Sequence, residues 1–307
     1  MRKKSALIIG SNGYIGRHLA KVLHDDGIRL TLGDVQAEAL DGEMGAFYRP
    51  LDLLDRESLN RLDFDVDVVF FFAGLTGTSV GFKRYEDFIN VNEVGILNVL
   101  DRLKESSARV VFPSSRLVYR GVENRALKED DEKEFKTVYA LNKFASEQYL
   151  EMYWRCFGTR YTVFRICVPY GNLLGDYSYG TMGFLLGRAR KGENIPLYGD
   201  GSQRRTFTHV YDICQILKEG AFLEGTLNDV FNIGGADNLS ILELARMVAE
   251  KYGVDVTFSE WPELDLAIES GDTVFDASKL DRLMDYQYKY NLVDWLRELE
   301  HGTSQRV

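Results

Sequence analysis

The sequence has few cysteines, few histidines and no excess of basic residues, and each shortage narrows what the protein can be. Its 307 residues include three cysteines and four histidines, whose spacing matches neither a metal site nor a CxxC redox motif. Asp and Glu outnumber Lys and Arg by 47 to 37, which gives a net charge of −10. A nucleic-acid-binding surface needs clustered positive charge. We therefore expect no metal and no nucleic-acid partner.

Long apolar runs are also missing. The longest, VVFFFAGL at 68–75, is much shorter than the roughly 20 residues of a membrane-spanning helix and indicates a buried strand. The start, MRKKSALIIGSNG at 1–13, has too brief an apolar run for a signal peptide. Cys156, Cys167 and Cys214 each lie among apolar residues, which favours buried free thiols. These features predict a soluble, cytoplasmic protein that does not bind a membrane.

The first half of the chain alternates short apolar segments with amphipathic ones. Strands are predicted at 6–10, 29–34, 46–53, 67–74, 109–115 and 161–168, and helices at 14–27, about 86–105 and 138–157. Continuous apolar strands that alternate with helices are typical of a parallel sheet covered on both faces. The predicted fold class is therefore α/β, with a Rossmann-type doubly wound parallel sheet.

The second half is richer in glycines and turns and has a different character. Helices are predicted at 240–253 and 291–300 among short strands. We expect residues 1–168 to form a dinucleotide-binding domain and residues 169–307 a smaller α/β lobe for a substrate. Part of the later chain, about 206–235, is expected to return to the first sheet.

A glycine-rich turn follows the first predicted strand directly. In GSNGYIG, residues Gly10, Gly13 and Gly16 lie between a strand and a helix, which is the context of a dinucleotide-binding loop. Asp34 ends the second predicted strand, and neither of the next two residues is Arg or Lys. A carboxylate there accepts bonds from ribose hydroxyls and repels a 2′-phosphate. The pattern predicts NAD, and the alternative is a glycine-rich turn without a ligand.

The segment VYALNKFASE at 138–147 places Tyr139 and Lys143 four residues apart, on one face of a predicted helix. An ammonium at about 4 Å favours a phenolate by about 4 kcal/mol at an effective dielectric of about 20. We therefore expect Lys143 to lower the pKa of Tyr139 toward neutrality, which suits a general base. The alternative is an ordinary helix on which the pair occurs by chance. In either case Glu147 is expected to face water.

With these two motifs in one chain, the sequence resembles the extended short-chain dehydrogenase/reductase family, and within it the nucleotide-sugar epimerases and dehydratases of the UDP-glucose 4-epimerase type. The resemblance covers nearly the whole chain. It rests on GSNGYIG, LGD, LDLLD, FFFAG, INVNEVGILNVL, VVFPSSRLVY, YALNK, FRICVPYGN, LYGDGSQRRTFTHVYDI and FNIGG.

The resemblance implies particular roles for residues of this chain. Ser115, Tyr139 and Lys143 match the catalytic residues, and Asn92 matches an asparagine that supports the site. The implied NAD-binding residues are Gly10, Asn12, Gly13, Tyr14, Ile15, Gly16, Asp34, Asp52, Leu53, Phe72, Ala73, Gly74, Asn92, Tyr139 and Lys143. The implied substrate-binding residues are Thr78, Ser115, Arg116, Val168 and Arg205.

The chain departs from the family pattern where a nucleotide diphosphate is bound. Val168 replaces an asparagine, Thr206 an aspartate and Glu269 an arginine. Arg205 is therefore expected to make most of the diphosphate contact. Glu269 is expected to face solvent or to pair with a lysine or arginine. His209, close by, is expected to pack or donate a hydrogen bond and not to catalyse.

The resemblance also narrows the reaction. Dehydratases and decarboxylases of the group carry an acid just after the catalytic Ser or Thr, whereas Arg116 and Leu117 follow Ser115 here. We expect an NAD-dependent epimerase that oxidises and re-reduces one carbon of the sugar, and C4 is the expected carbon. A nucleotide keto-sugar reductase and a non-catalytic dinucleotide-binding protein are the alternatives. The stretches 86–105 and 138–157 are expected to pair in a homodimer as a four-helix interface.

Overall fold

The computed structural model describes residues 3–175 and 179–299. The strands in this part are β1 Ser5–Ile9, β2 Arg29–Asp34, β3 Tyr48–Pro50, β4 Val68–Phe71, β5 Arg109–Ser115, β6 Arg160–Ile166, β7 Val168–Tyr170, β8 Ile195–Tyr198, β9 Arg204–His209, β10 Val230–Asn232, β11 Asp237–Ser240 and β12 Val256–Ser259. Seven of them form one parallel sheet in the order β10-β6-β5-β4-β1-β2-β3. The predicted Rossmann-type sheet is confirmed.

Helices join and cover these strands. The α-helices are α1 Tyr14–Asp25, α2 Arg56–Asn60, α3 Val80–Lys83, α4 Tyr85–Ile89, α5 Gly95–Arg102, α6 Val138–Phe157, α7 Gly180–Ala189, α8 Val210–Phe222, α9 Ile241–Tyr252, α10 Glu263–Ile268, α11 Ser278–Asp281 and α12 Leu292–Glu298. Three short 3₁₀ turns lie at Gly42–Phe47, Arg116–Val118 and Glu224–Thr226.

The central strands are buried on both faces, which explains their continuous apolar sequences. Along β1, Ala6 and Ile8 contribute to a core shared with α1 and α8. The alternate residues, Leu7 and Ile9, contribute to a second core shared with α5 and α6. Successive side chains of a strand point to opposite faces, so a sheet between two layers of helices needs apolar residues at every position.

Two predicted elements differ from the structure. The predicted strand 46–53 is reduced to Tyr48–Pro50 at the edge of the sheet, where a proline that lacks an N–H donor is tolerated. The predicted helix 86–105 consists of α4, a π-helical segment Asn90–Val94, and α5. Such π segments occur within helices, often beside functional sites.

The smaller lobe is built around a third core. A sheet in the order β11-β9-β7 and the pair β12-β8 surround it together with α7, α9 and α12. The chain then returns to the large sheet, since α8 packs on α1 and β10 pairs with β6. This return begins at α8, because β9 belongs to the small sheet. Residue 300, the last of the predicted helix 291–300, and His301 lie outside the described residues.

Two expectations about burial are wrong. Cys167 and Cys214 are buried free thiols as expected, but Cys156 is exposed. It lies near the end of α6, where its neighbour Phe157 is also exposed. Glu147 on α6 is buried and does not face water, because Arg165 of β6 lies opposite it. No described helix is both long and apolar enough to cross a membrane.

The ion pair between Glu147 and Arg165 joins α6 to the sheet through two parallel contacts. Arg165 Nε lies 3.0 Å from Glu147 Oε1, and Nη2 lies 2.6 Å from Oε2. Arg165 also donates to the Tyr119 hydroxyl, at 2.7 Å. Because both charges are buried, each depends on the other for compensation.

We expect Glu147→Ala to lower the free energy of unfolding by about 3–5 kcal/mol, since it leaves the Arg165 charge buried without a partner. Urea denaturation measures this change. Glu151→Ala is the matched control: Glu151 pairs with Arg155 on the surface of the same helix, so the expected cost is at most about 1 kcal/mol. Equal losses in the two variants would contradict the buried role of the pair.

Candidate active site

Two adjoining cavities follow the carboxyl ends of the parallel strands, where ligands of open α/β sheets bind. The first, of about 330 Å³, lies at the ends of β1, β2 and β4. The second, of about 300 Å³, lies at the ends of β5 and β6 beside the start of α1. Gly13, Phe72 and Gly74 line both, so the cavities form one continuous groove.

The glycine loop forms the floor of this groove. Gly10 has a φ of +86°, and a Cβ there would lie 2.3 Å from the backbone nitrogen of Ala73. A Cβ on Gly16 would lie 2.3 Å from the Gly10 carbonyl oxygen. Gly13 is the N-cap residue of α1, and it supplies no side-chain cap to the first turn of this helix. Because the glycines have no side chains, a pyrophosphate could approach the backbone closely, and the N-terminus of α1 favours such an anion.

Asp34 closes the first cavity on the side of β2. Its Oδ2 accepts a hydrogen bond from the Asn12 backbone N–H at 3.0 Å. The Asn12 side chain donates to the Glu38 carbonyl at 2.9 Å and accepts from the Leu40 N–H at 3.0 Å, which holds the loop after β2 in place. Asp52 and Leu53 line the same cavity, and none of the Lys and Arg residues that the structure describes does. An acidic cavity without cations suits ribose hydroxyls and not a 2′-phosphate.

The three predicted catalytic residues line the second cavity together. Helix α6 begins at Thr137, whose hydroxyl accepts the Ala140 N–H at 3.1 Å. One turn apart on this helix, Lys143 Nζ lies 5.8 Å from the centre of the Tyr139 ring. Ser115, at the end of β5, shares a side-chain hydrogen bond with Tyr139. The opening of α6 thus holds the pair over the end of the sheet.

Burial changes the proton affinities of this pair in opposite directions. It lowers the pKa of Lys143 to about 7, and the nearby Glu147 carboxylate works against that shift. The pKa of Tyr139 is raised, chiefly by burial, although the Ser115 hydrogen bond and the charge of Arg116 favour the phenolate. We expected Lys143 to lower the pKa of Tyr139, and for the protein without a bound ligand this expectation is wrong. The Lys143 ammonium instead donates to the Pro113 carbonyl at 2.8 Å.

Asn92 lines neither cavity but positions the loop that does. Its Oδ1 accepts the Leu75 N–H at 2.7 Å, and its Nδ2 donates to the Leu75 carbonyl at 3.0 Å. A Cβ on Gly74 would lie 3.0 Å from Asn92 Oδ1. The π-helical segment that carries Asn92 therefore fixes the chain just after β4, where Phe72, Ala73 and Gly74 meet the first cavity.

A third cavity, of about 380 Å³, belongs to the smaller lobe. It adjoins the catalytic residues, because Arg116 directly follows Ser115 and Val168 lies between two residues that line the second cavity. Val168 contributes an apolar surface there and no hydrogen-bond donor. Other residues of the wall include Tyr198 and Gln203, from the LYGDGSQRRTFTHVYDI segment, and three residues outside the quoted motifs: Thr181, Phe184 and Trp261. The rings of Tyr198 and Trp261 lie 5.4 Å apart, centre to centre.

Arg205 lines the third cavity but is already paired. Its guanidinium donates to the Glu269 carboxylate and to the Gly271 carbonyl, and its Nη1 lies 2.8 Å from the Arg204 carbonyl oxygen. The expectation that Glu269 pairs with a cation is confirmed. The same pairing compensates the positive charge that Arg205 was expected to offer a diphosphate.

Thr78 does not line any of the three cavities, whereas Thr76 in the same loop does. The Thr76 hydroxyl lies 3.1 Å from that of Tyr179. Tyr179 stacks on Tyr14, with ring centres 5.0 Å apart, and closes the second cavity. Tyr179 carries no motif, so no local signal could identify it.

His209 packs at the start of α8, as expected. Its Nδ1 accepts the Tyr211 N–H at 3.1 Å, and its ring stacks on Tyr290 at 4.1 Å. Burial lowers the pKa of His209 to about 3, so it stays neutral. Within 3–175 and 179–299, His, Cys, Asp and Glu residues form no group of three or more that could hold a metal.

The fold and its continuous groove define a Rossmann-type enzyme that works with a dinucleotide. The family model "NAD dependent epimerase/dehydratase family" matches residues 6–234. The chain therefore belongs to this NAD-dependent family of extended short-chain dehydrogenase/reductase enzymes, and the predicted enzyme class and cofactor are confirmed.

Individual relatives differ in their reactions. UDP-N-acetyl-alpha-D-glucosaminuronate decarboxylase of Bacillus cytotoxicus is 30% identical, over 80% of this chain and 79% of its own. CDP-paratose 2-epimerase of Salmonella typhi is 26% identical, over 97% of this chain and 98% of its own. The structure of Thermus thermophilus UDP-glucose 4-epimerase in complex with NAD superposes with a TM-score of 0.84 at 24% identity, covering 96% and 99% of the two chains. The shared property is the nucleotide-sugar enzyme family, not one activity.

We expect NAD to bind at least about tenfold more tightly than NADP, a difference of about 1.4 kcal/mol, because Asp34 repels a 2′-phosphate. Asp34→Ala should narrow this gap by weakening NAD and relieving the repulsion. Calorimetric titration of both cofactors measures it. Asp63→Ala, in a loop outside the cavities, is the control and should leave the ratio unchanged. Equal affinities in the unaltered protein would contradict the assignment.

Proposed function

We propose that the protein is an NAD-dependent nucleotide-sugar epimerase that acts through a transient keto sugar, with C4 as the reacting carbon. The observation that carries this proposal is the convergence of Ser115, Tyr139 and Lys143 on the cavity that continues the glycine-loop groove. The third cavity adjoins them and offers arginines and aromatic rings to the rest of the substrate. Three free thiols are consistent with a reducing cytoplasm.

The residues that would hold the cofactor are those of the groove. Gly10, Gly13 and the start of α1 would face the pyrophosphate, Asp34 the adenosine ribose, and the second cavity the nicotinamide ring. When bound, NAD would supply hydride transfer to and from the sugar carbon and, in its oxidised form, a positive charge. We assign residues 1–168 mainly to the cofactor and the following lobe to the sugar.

Tyr139 would take the hydroxyl proton of the sugar as it is oxidised and return a proton as it is reduced. Ser115 can donate a hydrogen bond to the same sugar oxygen, since its Oγ accepts the Leu117 N–H at 3.2 Å and its hydroxyl interacts with Tyr139. Burial raises the pKa of Tyr139, so the phenolate needs added positive charge to form near neutral pH. Lys143, whose pKa is about 7, can supply part of that charge when protonated.

Epimerisation regenerates the cofactor in every turnover, whereas a keto-sugar reductase consumes it. Incubating the protein with a panel of uridine, thymidine, cytidine and guanosine diphosphate hexoses and catalytic NAD tests the proposal. A change of sugar configuration, seen by NMR, without net NADH formation is the expected result. Stoichiometric NADH consumption with a keto sugar would show the reductase instead. If no nucleotide sugar binds, the nucleotide-sugar assignment fails.

We expect Tyr139→Phe to lower turnover by about 100-fold or more, the usual scale for loss of a general base, with NAD binding unchanged. Tyr149→Phe is the matched control on the same helix. Its hydroxyl donates to Glu93 Oε2 at 2.9 Å, and it lines none of the three cavities. Steady-state turnover of both variants decides the matter. A Tyr139→Phe protein with nearly normal turnover would remove the residue from the mechanism.

We propose that α4, α5 and α6 form a homodimer interface. Exposed apolar side chains lie on two of these helices: Ile89 on α4 is 42% exposed and Leu141 on α6 is 51% exposed. The helices pack together, so their outer faces form one surface. Exposed apolar surface of this kind marks interaction sites.

Light scattering at micromolar concentration should therefore give the mass of a dimer. The double change Ile89→Asp and Leu141→Asp should convert it to a monomer, because two charges would have to be buried at the interface. Leu264→Asp, at an exposed apolar residue on α10, is the control and should remain dimeric. A monomer in the unaltered protein would refute this interface.

A further inference from the structure

Arg116 occupies an unusual place for a cation. It follows Ser115 at the end of β5 and opens the 3₁₀ turn Arg116–Val118. Its side chain extends into the third cavity, where Nη1 donates to the Ser270 hydroxyl at 2.7 Å and to the Thr273 hydroxyl at 3.4 Å. Both partners are uncharged. They orient the guanidinium but do not compensate its charge.

No carboxylate among residues 3–175 and 179–299 pairs with Arg116. Burial lowers the pKa of Arg116 to about 10 and the positive charge of Arg205 adds to this shift, whereas the Glu269 carboxylate works against it; Arg116 stays protonated at neutral pH. Its neighbour Arg205 is different, because Glu269 compensates that charge. Among the described residues that line this cavity, Arg116, Arg205 and Glu269 are charged, and Glu269 forms its ion pair with Arg205 and not with Arg116.

Arg116 is half-buried, and a charge in a ligand cavity that lacks a charged partner in the protein fits a ligand that supplies the partner. A planar guanidinium presents paired donors that match the two oxygens of a carboxylate or phosphate. The preceding residue, Ser115, lines the second cavity, so an anion at Arg116 would occupy the cavity that adjoins the catalytic residues. Arg205 is less available, since its donors already serve Glu269 and backbone carbonyls.

We propose that Arg116, rather than Arg205, is the anion-binding residue of the substrate site, and that it recognises a carboxylate or phosphate group of the sugar nucleotide. This inference rests on the proposed function. It makes Arg116 a determinant of specificity. A substrate that lacks the anion would leave the guanidinium unpaired and bind weakly.

The two sources of the anion can be told apart with a matched pair of ligands. UDP-glucose and UDP-glucuronate share a diphosphate and differ in one carboxylate. Titration calorimetry with the NAD-loaded protein measures both affinities in the unaltered protein, in Arg116→Gln and in Arg116→Met. Both variants remove the charge, and Arg116→Met keeps an unbranched side chain of similar length. If one variant does not fold, the other can still be measured. Thermal unfolding and NAD binding establish that each variant is intact.

Loss of a charge-assisted contact should weaken binding by about ten- to a hundredfold. A loss confined to UDP-glucuronate identifies a carboxylate, and an equal loss for both ligands identifies the diphosphate; either result supports the proposal. Arg204→Gln is the control, because Arg204 pairs with Glu243 and does not line the third cavity. Unchanged affinities in the intact Arg116 variants would overturn the proposal.

Free pyrophosphate and glucuronate separate a failure of this proposal from a failure of the proposed function. If no nucleotide sugar binds the unaltered protein, the proposed function fails, but these simple anions still probe Arg116. Binding of either anion that disappears in Arg116→Gln and persists in Arg204→Gln would support the anion site. The absence of binding by nucleotide sugars and simple anions alike would overturn it.

Discussion

The close contact between the Gly10 backbone and the chain after β4 is the constraint on which the groove depends. The Gly10 and Ser11 N–H groups both donate to the Gly33 carbonyl, at 2.8 and 3.1 Å. The Phe72 and Ala73 N–H groups both donate to the Ile9 carbonyl, at 2.7 and 2.9 Å. Three strand ends are thereby held together with no room for a side chain between them. Helix α1 can then begin directly at the edge of the sheet, with its N-terminus toward the groove.

The charges of the substrate end depend on how two distant segments meet. Glu269 takes the place of a cation in the family pattern, and it pairs with Arg205, 64 residues earlier in the chain. That pairing compensates the charge of Arg205, whereas Arg116, next to Ser115 in the chain, donates to two uncharged hydroxyl groups. Glu269 therefore does more than remove one expected phosphate contact. It also changes which arginine in the cavity has a carboxylate partner, and this affects which substrate can bind.

The sequence by itself determined most of the strands and helices, and it predicted which residues are candidates for catalysis. Continuous apolar runs correspond to β1, β4 and β5, since a strand buried on both faces must be apolar at each position. The spacing of Gly10, Gly13 and Gly16 predicted the loop, and the four-residue spacing of Tyr139 and Lys143 predicted their shared helix face. These are short-range properties. Helix and strand periodicity relate residues only a few positions apart, so they can be read without knowledge of the fold.

What only the tertiary structure decided involves residues far apart in the chain. Glu147 is buried because β6 brings Arg165 opposite it, and nothing in its own helix distinguishes it from an exposed glutamate. The raised pKa of Tyr139 reflects the depth of the cavity, which several elements form together. The aromatic wall at Trp261 carries no motif. Burial and charge compensation depend on which groups the topology brings within a few ångströms of each other. Local spacing along the chain does not identify those partners, because they are distant in sequence.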